Sequence, residues 1–538
     1  DAVSSRNKTL EAPRGRITDR NGFQLAVSTP VESLWARPAD LRISADQRRE
    51  LAGLLGIRES ELSARLARKA RGEFNVARPV SQQQAYRITE MRVPGLHLRR
   101  EFRRYYPTRE VAAHVVGFTD IDGIGREGVE RAYQSQLDGE EGARRYLRDN
   151  KGNVVRDLEP VRAARSGGDL TLALDHKLQY LAHRDLGEAI RENKAKGGSI
   201  VVLDAKTGEI LALANQPVFN PNNRQNYQPT PMRNRAVIDT FEPGSTIKPF
   251  VAAAALERGL VRPETLIDTP ETLLVGRKRV RDVHYAGPRM SVTEIIQKSS
   301  NVGAVRLGMS LSPEQYWDVL NRVGFGHRPG SGFPGETGGR LRDAATWKPV
   351  EHATMAYGYG LSVSLLQLAR AYMAFANDGE VVPLSFLRRE PHEAVGERVF
   401  SPEVARAVRG MMEAVTAEGG TGTRTRVPGY RVAGKTGTAH KLVDGRYAHN
   451  RYLASFVGMA PASNPRLIIA VAIDEPSAGS HYGGSVAGPV FARVMGASLR
   501  QLGLPPDEPE TLENAPRLTH APAPAPRNVE VKHDDRRA

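Results

Sequence analysis

Three short elements carry residue types that could do nucleophilic chemistry together: Ser245-Thr246-Ile247-Lys248, Ser299-Ser300-Asn301 and Lys435-Thr436-Gly437-Thr438. A serine hydroxyl is a poor nucleophile until a base takes its proton. Lys248 stands three residues after Ser245, so on a helix the two side chains share one face. An amine can act as that base only when neutral, which burial or a nearby positive charge brings about. Lys435 is placed by its motif to supply that charge. A helix beginning at Ser245, behind the chain-breaking Pro243-Gly244, would add amides and positive dipole beside a developing oxyanion. Ser299 can relay a proton between Lys248 and a leaving nitrogen, and Asn301 can hold a substrate amide because its carboxamide both donates and accepts.

The same letters allow a rival. Gly429, Gly434, Lys435 and Thr436 spell the G-x-x-x-x-G-K-T of a phosphate-cradling loop, and "IIAVAIDE" resembles the magnesium-holding strand that accompanies it. That reading needs a buried strand before Gly429 and a helix starting at Lys435. The sequence has "AEGGTGTRTRVP" upstream and "GTAHKLVDGRY" downstream, which read as a loop and as a strand turning at Asp444-Gly445. Decoys occur too. Ser5-Arg6-Asn7-Lys8 repeats S-x-x-K in polar, unpatterned sequence, and Lys206-Thr207-Gly208 repeats K-T-G at the bend of a hairpin, ahead of Ser245. Three elements in order, each in a fitting local context, are more specific than any one.

The elements that must position these residues follow from periodicity. Residues 1–165 are Arg-rich with short alternating runs and one helical pattern capped by Ser44, which predicts a strand-rich, non-catalytic domain. From Ser166 the texture becomes a strand, an amphipathic helix starting near Asp175, and the hairpin "SIVVLDAKTGEILALA". Helices are predicted from the capping box Ser312/Gln315, over Ser364–Asp378 and over Ser401–Gly420, with two strands at Arg451–Ala460 and Arg466–Glu475 and a last helix near Val490–Leu502. Strands, helices, then strands again predict an α/β domain with an antiparallel sheet flanked by helices over 166–507. Residues 508–538, rich in Pro and charge, read as a disordered tail.

The bulk numbers narrow the function. With 76 Lys+Arg against 61 Asp+Glu the 538-residue chain carries a net charge of +15, which suits an anionic polymer or membrane surface. The absence of cysteine excludes disulfides, thiolate metal sites and a Cys nucleophile. No metal-ligand spacing or nucleic-acid motif occurs, so no metal, no cofactor and no nucleic-acid partner are expected. No stretch reaches the roughly 18 apolar residues of a membrane span. Because the chain starts at Asp1 rather than Met, a preceding signal or anchor is expected.

The whole chain apart from the tail resembles the class B penicillin-binding proteins, D,D-transpeptidases of bacterial cell-wall synthesis. "RGRITDRNGFQLA" (14–26) and "RRYYPTREVAAHVVGFTDIDGIGREGVE" (103–130) are similar to that family's pedestal, or dimerisation-type, segments. "FEPGSTIKPF" (241–250), "GFPGETGGRL" (332–341) and "YGYGLSVSLLQLARAY" (357–372) resemble its catalytic part and lean to the septal, division-type branch. The resemblance implies that Ser245 attacks the penultimate D-Ala carbonyl of a stem pentapeptide, and that an amine from a neighbouring stem resolves the acyl-enzyme into a cross-link. It implies an oxyanion hole from the amides of Ser245 and Thr438, a terminal carboxylate bound by Thr436 and Thr438 near Lys435, and a Gly437 whose missing Cβ lets substrate lie against the strand. β-Lactams would acylate Ser245. Tyr357, Tyr359 and Tyr482 are expected at the cleft, His481 departs from the family's usual aromatic, and His440 reads as a strand-edge surface residue. A membrane glycan polymerase and division proteins are implied partners, with the enzyme on the periplasmic side of the inner membrane, held by an N-terminal anchor absent from this chain.

Three alternatives share some of these residues: a serine β-lactamase, a β-lactam sensor and, remotely, a P-loop NTPase. The water-activating E-x-x-L-N of one major β-lactamase class is missing, since "WDVLN" has Trp317 where the Glu belongs, so a long-lived acyl-enzyme is expected. No E-D-x-x-F glycosyltransferase motif occurs.

Overall fold

The computed structural model describes residues 4–68, 72–148, 154–223, 225 and 227–513. The Arg-rich first part is built on β1 (Ser4–Leu10), β2 (Ile17–Thr18), β3 (Gln24–Ala36), β4 (Phe74–Val80), β5 (Leu96–Tyr105), β6 (Gly142–Arg148), β7 (Val154–Arg162) and β8 (Leu170–Thr171). One sheet has the order β1-β6-β7; the other runs β8-β2-β3-β4, with β5 also on β3. The helix predicted behind Ser44 forms as α1 (Ala45–Leu55), with Ser44 as its cap in a capping box with Gln47 and Gly56 at φ 68° closing the other end. Its Leu51 and Ala52 pack with Leu34, Val76 and Ile88 in a small separate core.

Charge fixes the join between the two resembling segments. Glu130 is fully buried, and its carboxylate accepts from Arg14 Nε (2.9 Å), Arg104 Nε (2.8 Å), Arg104 Nη2 (3.0 Å) and the Tyr106 hydroxyl (2.7 Å). Such a buried charge is tolerable because its lone pairs are taken. Tyr106 then reaches the catalytic part, exchanging two main-chain hydrogen bonds with the Asn222 carboxamide at 3.0 and 2.9 Å. A second junction joins Asp19 to His176: Asp19 accepts His176 N and faces its Nδ1 at 2.8 Å, while Asp175 caps α2 (His176–Glu192). These are the one group of metal-ligand type among the described residues, and their carboxylates are already occupied by N–H donors.

The catalytic part centres on an antiparallel sheet of β9 (Gly197–Asp204), β10 (Ile210–Gln216), β11 (Ala433–Val443), β12 (Arg446–Ala460) and β13 (Leu467–Asp474), in the order β10-β9-β13-β12-β11. These strands are apolar on both faces, and the two-residue alternation divides them between two cores. Ile200, Val202, Ile469 and Val471 face α2 and the C-terminal helix, whereas Val201, Leu203, Ile468 and Ala470 face the larger helical layer. That layer includes α3 (Lys248–Glu257), α4 (Val292–Lys298), α5 (Asn301–Met309), α6 (Pro313–Arg322), α7 (Leu365–Ala371), α8 (Met373–Ala376) and α9 (Pro402–Thr416), and the opposite face is covered by α10 (Gly488–Gln501). The helix predicted over Ser364–Asp378 is two helices, divided at Tyr372.

Residues 508–513, read from composition as tail, are held against the domain. Asp507 accepts from Arg431 N and from Ser463 N and Oγ, Glu508 pairs with Gly429, and Glu510–Glu513 forms a short helix, α11. Polar contacts with loop backbone replace the apolar burial whose absence suggested disorder. The remainder, 514–538, lies outside the described residues.

Candidate active site

Lys206-Thr207-Gly208 is a turn: Asp204 accepts from the N–H groups of Lys206 and Thr207, and Gly208 takes φ 72°. Ser5 and Lys8 lie on β1, paired with Leu147 and Arg144. The phosphate-loop reading is overturned by the ladder itself. Gly434, Lys435 and Thr436 are paired with Gly458, Val457 and Phe456 on β12, so no helix starts at Lys435 and its amides belong to a sheet.

Ser245 sits on a single 3-10 turn, Gly244–Ile247, and α3 proper begins at Lys248, three residues later than the sequence suggests. The turn is wedged in place. Gly244 adopts φ 61° and donates to Gly358 O at 3.0 Å; a Cβ on Gly358 would lie 1.9 Å from Gly244 O. The "YGYG" turn is therefore glycine-rich because it presses against the nucleophile loop. Beneath, the Tyr372 hydroxyl donates to Thr246 O at 2.6 Å. The run "PFVAAAA" buries α3 on every side, and this carries Lys248 into the interior.

Lys248 is fully buried, with Nζ 2.8 Å from Ser299 O, 3.0 Å from Ser299 Oγ and 2.8 Å from Asn301 Oδ1. Lys435, also fully buried, places Nζ 3.0 Å from the same Ser299 Oγ and 3.0 Å from Thr436 O. One hydroxyl thus stands between two amines from opposite ends of the domain. Ser299 does this because it is not inside a helix, as its pattern suggests, but at the break between α4 and α5, in the left-handed region at φ 59°. Ser300 caps α5 by accepting from Gly303 N and donating to Asp282 Oδ2 at 2.7 Å. The kink exposes both the carbonyl and the hydroxyl of Ser299.

Burial pushes Lys248 down from 10.5 to about 7, with Asp282 opposing the shift. Lys435 is pushed well below its ordinary value, first by burial and then by the charge of Lys248. Desolvation, and not the charge on Lys435 that the motif suggested, is what lowers Lys248 and makes the base available. In neutral Lys248 the two N–H groups are matched by Ser299 O and Asn301 Oδ1, which accept only, and the lone pair is left for a hydroxyl proton.

A cleft of about 860 Å³ runs over this constellation. Its lining includes Ser245, Ser299, Asn301, Thr436, Thr438, Tyr357, Tyr359 and Tyr482. Thr438 Oγ1 accepts from Gly483 N at 3.0 Å. Gly437 serves a different purpose from the one expected: a Cβ there would meet Ser455 Oγ at 2.5 Å and Thr246 Cγ2 at 2.9 Å, so its bareness lets β11 close on the nucleophile loop. Gly437→Ala is predicted to displace that loop at a cost of about 1–3 kcal/mol. Acylation by a β-lactam should slow at least about tenfold, the ratio of rates that ~1.4 kcal/mol corresponds to, together with a lower thermal midpoint; wild-type values of both would refute the packing argument.

His440, read from sequence as a strand-edge surface residue, instead lines the cleft, and three further residues at the site lay outside the sequence reading. Thr421 shares a 2.8 Å hydroxyl pair with Thr436, Asp282 holds the α4–α5 break, and Tyr447 lines the cleft. The first two stand in loops without periodicity, and nothing in their spacing marks them. His440 was readable, since Thr436, Thr438 and His440 alternate on one strand.

A serine three residues ahead of a buried, low-pKa lysine, with a second serine shared by a further buried amine, is the arrangement that serine enzymes working through acyl intermediates require. Residues 198–496 match the model of the penicillin-binding protein transpeptidase domain, and residues 9–172 that of the penicillin-binding protein dimerisation domain. The chain belongs to the penicillin-binding protein transpeptidase family. It is 45% identical over 510 residues (94% of this chain, 87% of the relative) to the probable peptidoglycan D,D-transpeptidase PenA of Neisseria meningitidis, and 41% identical over 515 residues, with the same coverages, to the peptidoglycan D,D-transpeptidase FtsI of Escherichia coli K12. The transpeptidase domain of Burkholderia pseudomallei penicillin-binding protein 3 superimposes with a TM-score of 0.58 at 45% identity, covering 62% of this chain and 97% of that one.

Proposed function

We propose that this protein is a peptidoglycan D,D-transpeptidase of septal wall synthesis, working through an acyl-enzyme on Ser245. Lys248 takes the Ser245 proton as Oγ attacks the penultimate D-Ala carbonyl. The amides of Ser245 and Thr438 receive the oxyanion, and Ser299 passes the proton to the departing D-Ala nitrogen. Thr436 and Thr438 hold the terminal carboxylate, with Lys435 behind them, and Asn301 keeps the peptide in register. An amine from a neighbouring stem then displaces Ser245 and forms the cross-link. The observation that carries this reading is the 3.0 Å approach of both lysine amines to Ser299 Oγ. The net charge of +15 suits an anionic wall polymer. Among the described residues no helix is long and apolar enough to cross a membrane. We place the enzyme in the periplasm, held at the inner membrane by an anchor and working beside a glycan polymerase and other division proteins.

β-Lactams enter as mimics of the D-Ala-D-Ala end. Among the described residues that line the cleft Asp282 is the one carboxylate, and it is engaged by Ser300 Oγ and Val302 N rather than free to activate water. The penicilloyl adduct is therefore predicted to persist for many minutes, read by intact mass against time after removal of free drug. Release within seconds would identify a β-lactamase instead.

A further inference from the structure

On β11 the residues Thr436, Thr438 and His440 recur at two-residue spacing, and all three line the cleft that holds Ser245. The His440 ring is fixed. Its Nδ1 lies 3.1 Å from Ala448 O, and a carbonyl only accepts, so Nδ1 carries the hydrogen and Nε2 of the neutral ring is a bare acceptor. Tyr452 lies against the ring at 4.8 Å and is itself stacked on His481 at 4.0 Å. The His440 main-chain N–H donates to the Tyr359 hydroxyl at 3.3 Å. The ionisable groups around it are Tyr359 from the "YGYG" turn, Tyr452, His449 and Tyr447 from β12, His481 from the following loop, and Glu242, whose carboxylate is held by Tyr447. Lys441, next in sequence, is tied to Asp474 and Glu475. Among the described residues His440 forms no ion pair.

Resting on the transpeptidase reading, we propose that His440 is the proton acceptor for the incoming amine in the second half-reaction. An acceptor amine arrives as an ammonium and cannot attack until it loses a proton. Nε2 takes that proton and becomes imidazolium. The freed lone pair forms the new C–N bond to the acyl carbon as the bond to Ser245 Oγ breaks. The second amine proton returns to Ser245 through Lys248, and the imidazolium gives its proton to water. Lys248 thus serves the serine, and His440 serves the acceptor.

The test uses the full chain, a peptide donor ending in a D-alanyl thioester, and D-alanine as acceptor, for the parent, His440→Gln and His440→Phe. At pH 7 the ratio of aminolysis to donor acylation is expected to fall about a hundredfold in both variants, the lower reach of general-base effects. The deficit should close as pH rises to where D-alanine is already a free amine, a dependence that a purely structural role would not produce. Variants that partition like the parent at pH 7, or a deficit that stays constant with pH, overturn the assignment. A parent never acylated by the thioester overturns the transpeptidase reading itself, and the assignment with it.

Discussion

Ser245→Ala is expected to abolish covalent labelling by penicillin, a loss on the order of 10⁴-fold or more because nucleophile and base act as one unit. The fold should not suffer. Removing one partly exposed hydroxyl is worth within about 0.5 kcal/mol, and the loop's position is set by Gly244, Gly358 and Tyr372 rather than by the serine side chain. Intact mass after drug exposure, alongside a thermal melt, measures both. A variant that still labels would place the nucleophile elsewhere.

The second large effect is expected at Lys248. Lys248→Met keeps most of the buried volume and removes the base, so acylation should fall by about 10² to 10⁴-fold. Ser299 O and Asn301 Oδ1 lose their donor, and because both residues are only partly buried at the cleft the added cost is about 1 kcal/mol for each. The parent's pH profile follows from the same burial. The productive form is the neutral amine, and Lys248 titrates at about 7, so acylation should climb as pH rises through 7 and level off above it. Between about 7 and the ordinary 10.5 the unfolded chain binds a proton that the folded site does not, so this residue makes stability increase with pH over that window. A profile flat from pH 5 to 9 would remove Lys248 from the role of base.

Much of the fold was legible where periodicity and caps agree: α1 behind Ser44, α6 behind Ser312 and the β11–β12 hairpin turning at Asp444-Gly445 all lie where the sequence puts them. The three motifs were legible because each is a short local pattern. What they do to each other was not. Ser299 reads as helical because Glu294–Gly308 is apolar at helical spacing, yet Asp282, a loop residue from outside that window, accepts from Ser300 and Val302 at the break where the chain turns. The resemblance implies that Gly437 is bare to make room for substrate, whereas the atoms that fill its Cβ site come from Thr246 and Ser455, which are remote in sequence. The charge assignment of the lysine pair shifted for the same reason, since complete burial of both amines is a property of the assembled domain.

The convergence of Ser245, Lys248, Ser299 and Lys435 is tested most directly by mapping the adduct after brief exposure of the intact, unsubstituted chain to a penicillin. One adduct per chain is predicted, on the proteolytic peptide containing Ser245 and on that residue. An adduct on any other serine, Ser5 of the second S-x-x-K included, or a chain that never acquires the drug's mass, would contradict the account.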